Sequence, residues 1–179
     1  MRVDGPLVIP DLASVATAAQ ALEAAGYDGT YTFEGPHDPF LPLVLAAEAT
    51  EHLELTTAVA IAFARNPMTL AAQAWDLQEL SGGRFHLGLG SQIKPHIERR
   101  FSMPWSAPAA RMREMVLAIR SIWVAWQDRT PLRFEGEHYT HTLMTPFFDP
   151  GPIEVGAPSI WLGGVGPMID VTPLPEPRP

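Results

Sequence analysis

The chain has 179 residues, a formal net charge of -8 and no cysteine. The acidic balance disfavours nucleic acid and anionic membranes as partners, and the lack of thiols excludes a disulfide framework or a thiolate zinc site. An apolar content of 46% with 18% charged residues is typical of an ordered globular domain. No stretch is apolar for long enough to span a membrane, and the first residues lack a signal-peptide pattern, so we expect a cytoplasmic protein.

Apolar, β-branched runs alternate along the chain with Ala-rich or amphipathic segments, which predicts strands alternating with helices. Residues with capping chemistry mark several boundaries: Asp11 precedes the first helix, Gly26 ends it, and Asn66-Pro67 opens the third. Segment 91–108 contains three prolines and no clear period, so we predict a loop there. The predicted strands are 7–10, 29–33, 53–63, 85–90 and 160–164, and the predicted helices are 11–25, 38–51, 66–81 and 108–127.

This order of elements predicts an α/β fold of parallel strands joined by right-handed helical crossovers. A complete (β/α)8 TIM barrel needs about 250 residues, so we predict a partial barrel of strands one to five. Segment 134–140 predicts a hairpin inserted before the fifth strand. Residues 1–170 are assigned to the barrel, and the Pro-rich residues 171–179 to a disordered tail. Unpaired backbone at the open sheet edges favours a homodimer or edge-mediated self-association.

A (β/α) barrel forms its active site at the carboxyl ends of the strands. Glu34 and His37 leave the second predicted strand together, and a histidine beside a carboxylate can hold or relay a proton near neutral pH. Both are therefore catalytic candidates. The alternative is that Asp38 caps the following helix while His37 is a solvated loop residue, and spacing alone favours that alternative.

Three further strand ends carry small residues that would let a ligand approach the backbone. Thr57-Ala58-Val59 lies near the end of the third strand, although ordinary core packing is the simpler explanation there. Gly90-Ser91-Gln92 follows the fourth strand, where glycine is common in any case. The basic segment 94–100 comes next, and it could attract an anionic ligand or form a solvated face. Backbone amides of Gly163-Gly164-Val165-Gly166, after the fifth strand, could cradle a phosphate.

Metal binding is not expected. His138 and His141 are three residues apart in a segment that reads as strand, which places them on opposite faces. Neither a Walker-type loop nor a nucleophile elbow is present.

Several of these stretches resemble the bacterial luciferase-like monooxygenase superfamily. The most specific is Ser81-Gly82-Gly83-Arg84-Phe85 followed by the strand end Gly88-Leu89-Gly90, and Ala64-Arg65-Asn66-Pro67-Met68 also matches. The run 91–101, with Met103-Pro104-Trp105, resembles the branch that uses the deazaflavin coenzyme F420. The resemblance implies an oxidoreductase with a (β/α)8 barrel that moves a hydride to or from carbon 5 of a flavin or deazaflavin, with a small organic molecule as substrate.

The resemblance also implies roles for particular residues. In the F420 branch the ring packs against a bulge, here at Thr57-Ala58-Val59, where relatives often have a non-prolyl cis peptide. His37 matches the histidine that acts near the reacting carbon. Gly90-Ser91-Gln92 is similar to a cofactor-contacting turn, and Gly163-Gly164-Val165-Gly166 to the turn near the cofactor phosphate. Relatives place an acid directly beside the histidine, whereas here two residues separate Glu34 from His37.

Three interpretations follow from this resemblance. The first is an oxidoreductase that transfers a hydride between F420 and an organic substrate. The second is an FMN-dependent monooxygenase of the same superfamily. The third is a non-catalytic, truncated half-barrel that needs self-association to fold, because relatives continue through strands six to eight.

Overall fold

Strands and helices alternate through most of the chain, as the sequence predicts. The structure is a computed structural model and describes residues 1–8 and 10–164. Two short 3-10 turns, Leu12–Ser14 and Ala62–Ala64, accompany the regular elements. The elements are β1 (Asp4–Pro6), α1 (Val15–Ala24), β2 (Gly29–Thr32), α2 (Phe40–Ala49), β3 (Glu54–Thr57), β4 (Ala60–Ile61), α3 (Pro67–Leu80), β5 (Phe85–Gly90), α4 (Lys94–Arg99), α5 (Pro108–Asp128), β6 (Phe134–Glu135), β7 (Thr140–His141) and β8 (Ser159–Leu162).

The sheet is parallel throughout and runs in the order β1-β2-β3-β5-β8. Strand β4 continues β3 along the same edge of β5, after a two-residue interruption. Strands β6 and β7 form the predicted antiparallel hairpin before the last strand. Neighbouring strands that follow one another with helical crossovers give the first five strands of a (β/α)8 barrel, which confirms the predicted fold class.

Helices cover one face of the sheet and form the main core with it. Leu55, Leu87 and Leu89 point into this layer and are fully buried. Between α3 and α5, the Trp75 ring packs on Trp123, with centroids 6.4 Å apart, and edge-on against Trp126 at 5.6 Å. Burying each large side chain contributes about 2–3 kcal/mol, so this tryptophan cluster fixes how α5 docks on α3.

The Ser-Gly-Gly-Arg-Phe segment is a turn that joins α3 to β5. Gly82 and Gly83 have φ of 65° and 90°, the left-handed region that glycine adopts without steric cost. Arg84 then places its guanidinium against the end of α2, where all five of its N–H donors find acceptors 2.7–3.1 Å away. The acceptors are the carbonyls of Ser81, Ala47, Thr50 and Leu53 and the hydroxyl of Thr50. Burial lowers the pKa of this arginine below its usual value.

Glu23 ties the end of α1 to the start of β3. Its Oε1 accepts hydrogen bonds from the backbone amides of Glu51, His52 and Leu53 at 2.6–3.0 Å. Burial acts to raise the pKa of the Glu23 carboxyl, but these three donors outweigh it and hold the pKa below its usual 4.5. The ionised form is therefore the one that the fold stabilises.

We expect Glu23 to make stability depend on pH in the acid range. Because its pKa is lower in the folded state, its contribution is present above pH 4.5 and is lost as pH falls through the folded value. Urea unfolding from about pH 6 to about pH 3 should show a shallower loss of stability for Glu23→Gln than for the wild type. Glu79→Gln, at an exposed position on α3, is the control and should follow the wild type. Identical slopes for all three proteins would contradict the assignment.

The hairpin is fastened to α5 by two side chains. Glu114 accepts hydrogen bonds from the amides of residues 137–139 at 2.6–3.1 Å. Arg111 donates to the Tyr139 hydroxyl at 2.9 Å and lies 4.5 Å above the Phe63 ring, which follows β4. The inserted hairpin is thus held toward the carboxyl end of the sheet.

The structure corrects three of the predicted elements. The first strand is Asp4–Pro6 rather than 7–10, because the chain leaves the sheet after Leu7 N donates to the Tyr31 carbonyl. Segment 91–108 contains the helix Lys94–Arg99, so the loop prediction was wrong; its proline lies in the first turn, where no amide is needed. The predicted strand 53–63 is interrupted between β3 and β4. The predicted tail, 171–179, lies outside the described residues.

Candidate active site

A bulge interrupts the third strand of the barrel at its carboxyl end. Strand β3 stops at Thr57, the peptide bond between Ala58 and Val59 is cis, and β4 starts at Ala60. The bulge is hydrogen-bonded to the end of β2. Ala58 N donates to the Thr32 carbonyl at 2.6 Å, and Val59 O accepts from Glu34 N at 3.3 Å. The backbone of Ala58 and Val59 is therefore placed at the carboxyl edge, with Ala58 exposed and Val59 half-buried.

Three glycines, two on β5 and one just after β8, leave space for this bulge. A Cβ on Gly88 would lie 1.7 Å from the Thr57 carbonyl oxygen, and Cβ atoms on Gly90 and Gly163 would lie 2.5 Å and 2.8 Å from Val59 methyl groups. The sequence suggested that such glycines let a ligand approach. In the structure, Thr57 and Val59 of the bulge occupy the space beside these three positions. A side chain at any of them would clash with the bulge, so glycine is required there.

The Thr57 hydroxyl takes the place of a backbone partner for Gly88 where the bulge interrupts the strand pairing. Its Oγ1 donates to the Gly88 carbonyl at 2.8 Å and accepts from Gly88 N at 2.9 Å. The side chain is fully buried and both of these bonds are internal. Thr57, predicted to contact a cofactor, is thus placed to hold the bulge against β5.

Glu34 lies beneath the bulge in a buried ion pair. Its side chain is 8% exposed, and its Oε2 accepts from Ile61 N at 2.7 Å and from Arg65 Nη1 at 2.5 Å. The other arm of Arg65 donates to Asp38 Oδ2 at 3.0 Å. One arginine therefore links the exit of β2 to the residues just after the bulge. Within the described residues, no hydrogen bond joins Glu34 to His37.

Residue Arg65 was quoted in the sequence only as part of a motif, with no role assigned. A recognisable signal exists: it is an arginine inside a run of small and apolar residues, where a charge is costly unless it is paired. The pairing itself could not be read, since 31 residues separate Arg65 from Glu34.

His37 projects from the loop that follows β2 and is exposed. The loop is fixed on both sides of it: Arg100 donates to the Gly35 carbonyl at 2.9 Å, and Asp38 Oδ1 accepts from Phe40 N at 2.8 Å. Asp38 thus caps the start of α2, as the alternative interpretation proposed. That capping does not immobilise the imidazole, which faces a small cavity at the carboxyl edge.

The turn after β5 uses its side chains locally. Ser91 Oγ donates to the Gln92 carbonyl at 3.1 Å, and Gln92, with φ of 59°, accepts from Ile93 N. Both residues are half-buried at the carboxyl edge. Gly163 N donates to the Leu89 carbonyl at 2.8 Å, which keeps Gly163-Gly164 beside the bulge. Val165 and Gly166 lie outside the described residues.

The basic segment after β5 is partly committed to internal contacts. Lys94 pairs with Glu98 at 3.7 Å, and Arg100 is bound to the loop that carries His37. Among residues 1–8 and 10–164, no group of three or more His, Asp or Glu side chains could hold a metal ion. No helix in the same residues is long and apolar enough to cross a bilayer.

The Val59 side chain lies against two glycines at the carboxyl edge. The Val59 side chain is flanked on the β5 and β8 side by Gly90 and Gly163, which carry no side chain that could rise above it. The buried Thr56 hydroxyl, one residue before Thr57, has no hydrogen-bond partner among the described residues. Apolar side chains together with a few polar groups are common in ligand-binding sites.

Comparison with known proteins identifies the family. The profile of the luciferase-like monooxygenase family matches residues 2–170, so the chain belongs to that family. The Mycobacterium tuberculosis protein Rv1360 is 59% identical over 167 residues, which are 93% of this chain and 48% of that protein. Rv3520c of the same organism, provisionally named a coenzyme F420-dependent oxidoreductase, is 34% identical over 66% of this chain and 34% of its own length. The chain thus spans about half the length, or less, of these relatives.

Solved structures show the same fold. The FMN complex of the oxygenating constituent of 3,6-diketocamphane monooxygenase from Pseudomonas putida superposes with a TM-score of 0.73 and 18% identity. It is matched over 90% of this chain and 51% of that chain. Coenzyme F420 dependent tetrahydromethanopterin reductase from Methanopyrus kandleri gives 0.68 and 18% identity, over 93% and 50%. Both cofactor types therefore occur among proteins of this fold.

Proposed function

We propose that this chain forms the cofactor-binding part of an oxidoreductase that transfers a hydride between coenzyme F420 and a small organic substrate. The observation that carries the proposal is the bulge at Ala58 and Val59, which packs closely against Gly88, Gly90 and Gly163. His37 lines a cavity at the same edge of the sheet. F420 is preferred to FMN because of the likeness to Rv3520c and the sequence of segment 91–101.

The residues have distinct roles in this proposal. Val59 and Ala58 support one face of the ring, and Ser91, Gln92 and Gly163-Gly164 border it. When bound, F420 supplies two-electron hydride chemistry. His37 holds or moves the proton that must accompany it, at one of its ring nitrogens. Glu34 is buried under Arg65, so we assign it to positioning the bulge rather than to proton transfer.

The test is a fluorescence titration of the purified chain with F420 and, separately, with FMN. We expect saturable binding of F420 and weaker binding of FMN. Tighter binding of FMN would favour the monooxygenase interpretation, and binding of neither by a folded sample would favour the non-catalytic half-barrel and contradict the proposal.

For His37 we expect His37→Ala to lower turnover about 100-fold or more, the usual range for a group that transfers a proton, while the melting temperature changes little. The matched control is His52→Ala, since the His52 side chain is 86% exposed and pairs only loosely with Glu51 at 3.9 Å. Equal turnover in the His37 and His52 variants would remove His37 from the mechanism.

A further inference from the structure

A small cavity opens where the connections that follow β1 and β2 meet. It has a volume of about 170 Å3 and lies between residues 7, 8, 11 and 12, residues 32, 33 and 36–38, and the first turn of α2. His37 forms part of its wall. Its position at the carboxyl edge, next to the bulge, distinguishes it from the shallow groove between the outer faces of α1 and α2.

The lining of the cavity is mostly apolar. Leu7, Leu12, Phe33, Pro36 and Pro42 supply the larger part of the wall. Leu7 is buried, whereas Phe33 is half exposed and so borders the mouth. A charged group that entered this space would lose hydration with little in return, which is unfavourable in an apolar environment.

Most of the polar side-chain groups in the wall are already engaged. Thr32 Oγ1 donates to the Pro39 carbonyl at 2.7 Å, and Asp11 Oδ1 accepts from Ser14 N at 2.9 Å. Asp38 caps α2 with one oxygen and binds Arg65 with the other. No hydrogen bond or ion pair joins the His37 side chain or Asp11 Oδ2 to another residue that the structure describes. A carboxylate oxygen only accepts, so the imidazole is the side-chain group in this wall that can donate a hydrogen bond to a ligand oxygen.

From these contacts we infer that the cavity binds the apolar part of a small, uncharged molecule whose single carbonyl or hydroxyl oxygen hydrogen-bonds His37. Pockets for drug-sized ligands hold about 300–1,000 Å3, so this one takes a short aliphatic chain or a single ring. An anion is disfavoured by the Asp11 and Asp38 carboxylates as well as by the apolar wall. The identification of this ligand as the substrate rests on the proposed function. Its binding in the cavity does not depend on that function.

The experiment follows the imidazole C–H signals of the full chain by NMR, with the His37 signal identified by its absence in His37→Ala. Cyclohexanone is the neutral probe and cyclohexanecarboxylate is its charged counterpart of the same ring size. We expect cyclohexanone to shift the His37 signal saturably, and the carboxylate to produce at most a tenth of that effect at equal concentration. A shift that never saturates, or equal binding of the two probes, would overturn the inference.

Two variants locate the binding. Leu12→Trp fills the cavity from one wall and should weaken cyclohexanone binding at least 10-fold. Leu45→Trp is the matched control, because Leu45 lies on the outer groove and not on this cavity, and it should bind as the wild type does. Unchanged binding by Leu12→Trp would place the probe elsewhere and contradict the inference. If Leu12→Trp does not fold, the two-probe comparison on the wild type decides by itself.

The same sample titrated with F420 separates this inference from the proposed function. Binding of F420 without a saturable response to cyclohexanone overturns the cavity assignment alone. A saturable response of His37 to cyclohexanone without binding of F420 supports the cavity and counts against the proposed function.

Discussion

Replacing Arg84 by alanine should strongly destabilise the protein. The guanidinium satisfies backbone carbonyls at the end of α2 and before β3, and none of its five N–H groups is left over. Hydrogen bonds from a charged donor contribute about 1.5–3 kcal/mol each, and losing several together leaves carbonyls without partners. We expect Arg84→Ala to lower the free energy of unfolding by about 3–4 kcal/mol, measured by urea denaturation.

The controls for Arg84 test whether geometry or charge matters. Arg84→Lys keeps the charge but cannot reach acceptors on both sides, so it should recover less than half of the loss. Arg133→Ala removes an arginine that is 82% exposed and paired only with exposed Glu135, so it should change stability by about 0.5 kcal/mol or less. Comparable losses in the Arg84 and Arg133 variants would show that the contacts at α2 contribute little.

Adding one methyl group at Gly88 should damage both the fold and the candidate site. The new Cβ would lie 1.7 Å from the Thr57 carbonyl oxygen, and backbone cannot turn aside as a side chain can. Overpacking of this kind typically costs about 1–3 kcal/mol and sometimes more. We expect Gly88→Ala to lower the free energy of unfolding by about 3 kcal/mol and to abolish F420 binding, because the bulge must shift.

A comparison with Gly163 separates backbone from side-chain clashes. A Cβ on Gly163 would lie 2.8 Å from a methyl of Val59, a contact that trimming the valine removes. Val59→Ala should therefore restore most of the stability lost in Gly163→Ala, whereas it should not restore Gly88→Ala. Rescue of both glycine variants by Val59→Ala would show that the Thr57 carbonyl is not the obstacle at Gly88.

The three glycines beside the bulge make room for the chain's own backbone and side chains. The glycines at 88, 90 and 163 give the bulge its place, because a Cβ at any of the three would clash with Thr57 or Val59. Glu34 and Arg65 act from the opposite side, through the Ile61 amide and the exit of β2. The bulge is thus held by the ion pair, through the Ile61 amide, and by its close fit against the three glycines.

Much of the fold could be predicted from the sequence because the signals are local. Asp11 and Asn66 cap helices through contacts within three residues, and Gly82 and Gly83 supply the left-handed backbone that the turn before β5 requires. Strand β5 was predicted with its observed bounds, since its apolar run ends sharply at Gly90. The short helix α4 was missed because proline in a first helical turn reads, in isolation, as a loop signal.

The site was only partly predictable, for the opposite reason. The sequence alone determined the alternation of strands and helices, the Ser-Gly-Gly-Arg-Phe turn and the set of strand ends at which chemistry could occur. The tertiary structure decided which of those residues make contacts within the fold: Glu34 is paired with Arg65 across 31 residues, and Gly88 lies against the carbonyl of Thr57. Capping and periodicity act between near neighbours, whereas ion pairing and close backbone approach depend on segments that meet only after folding.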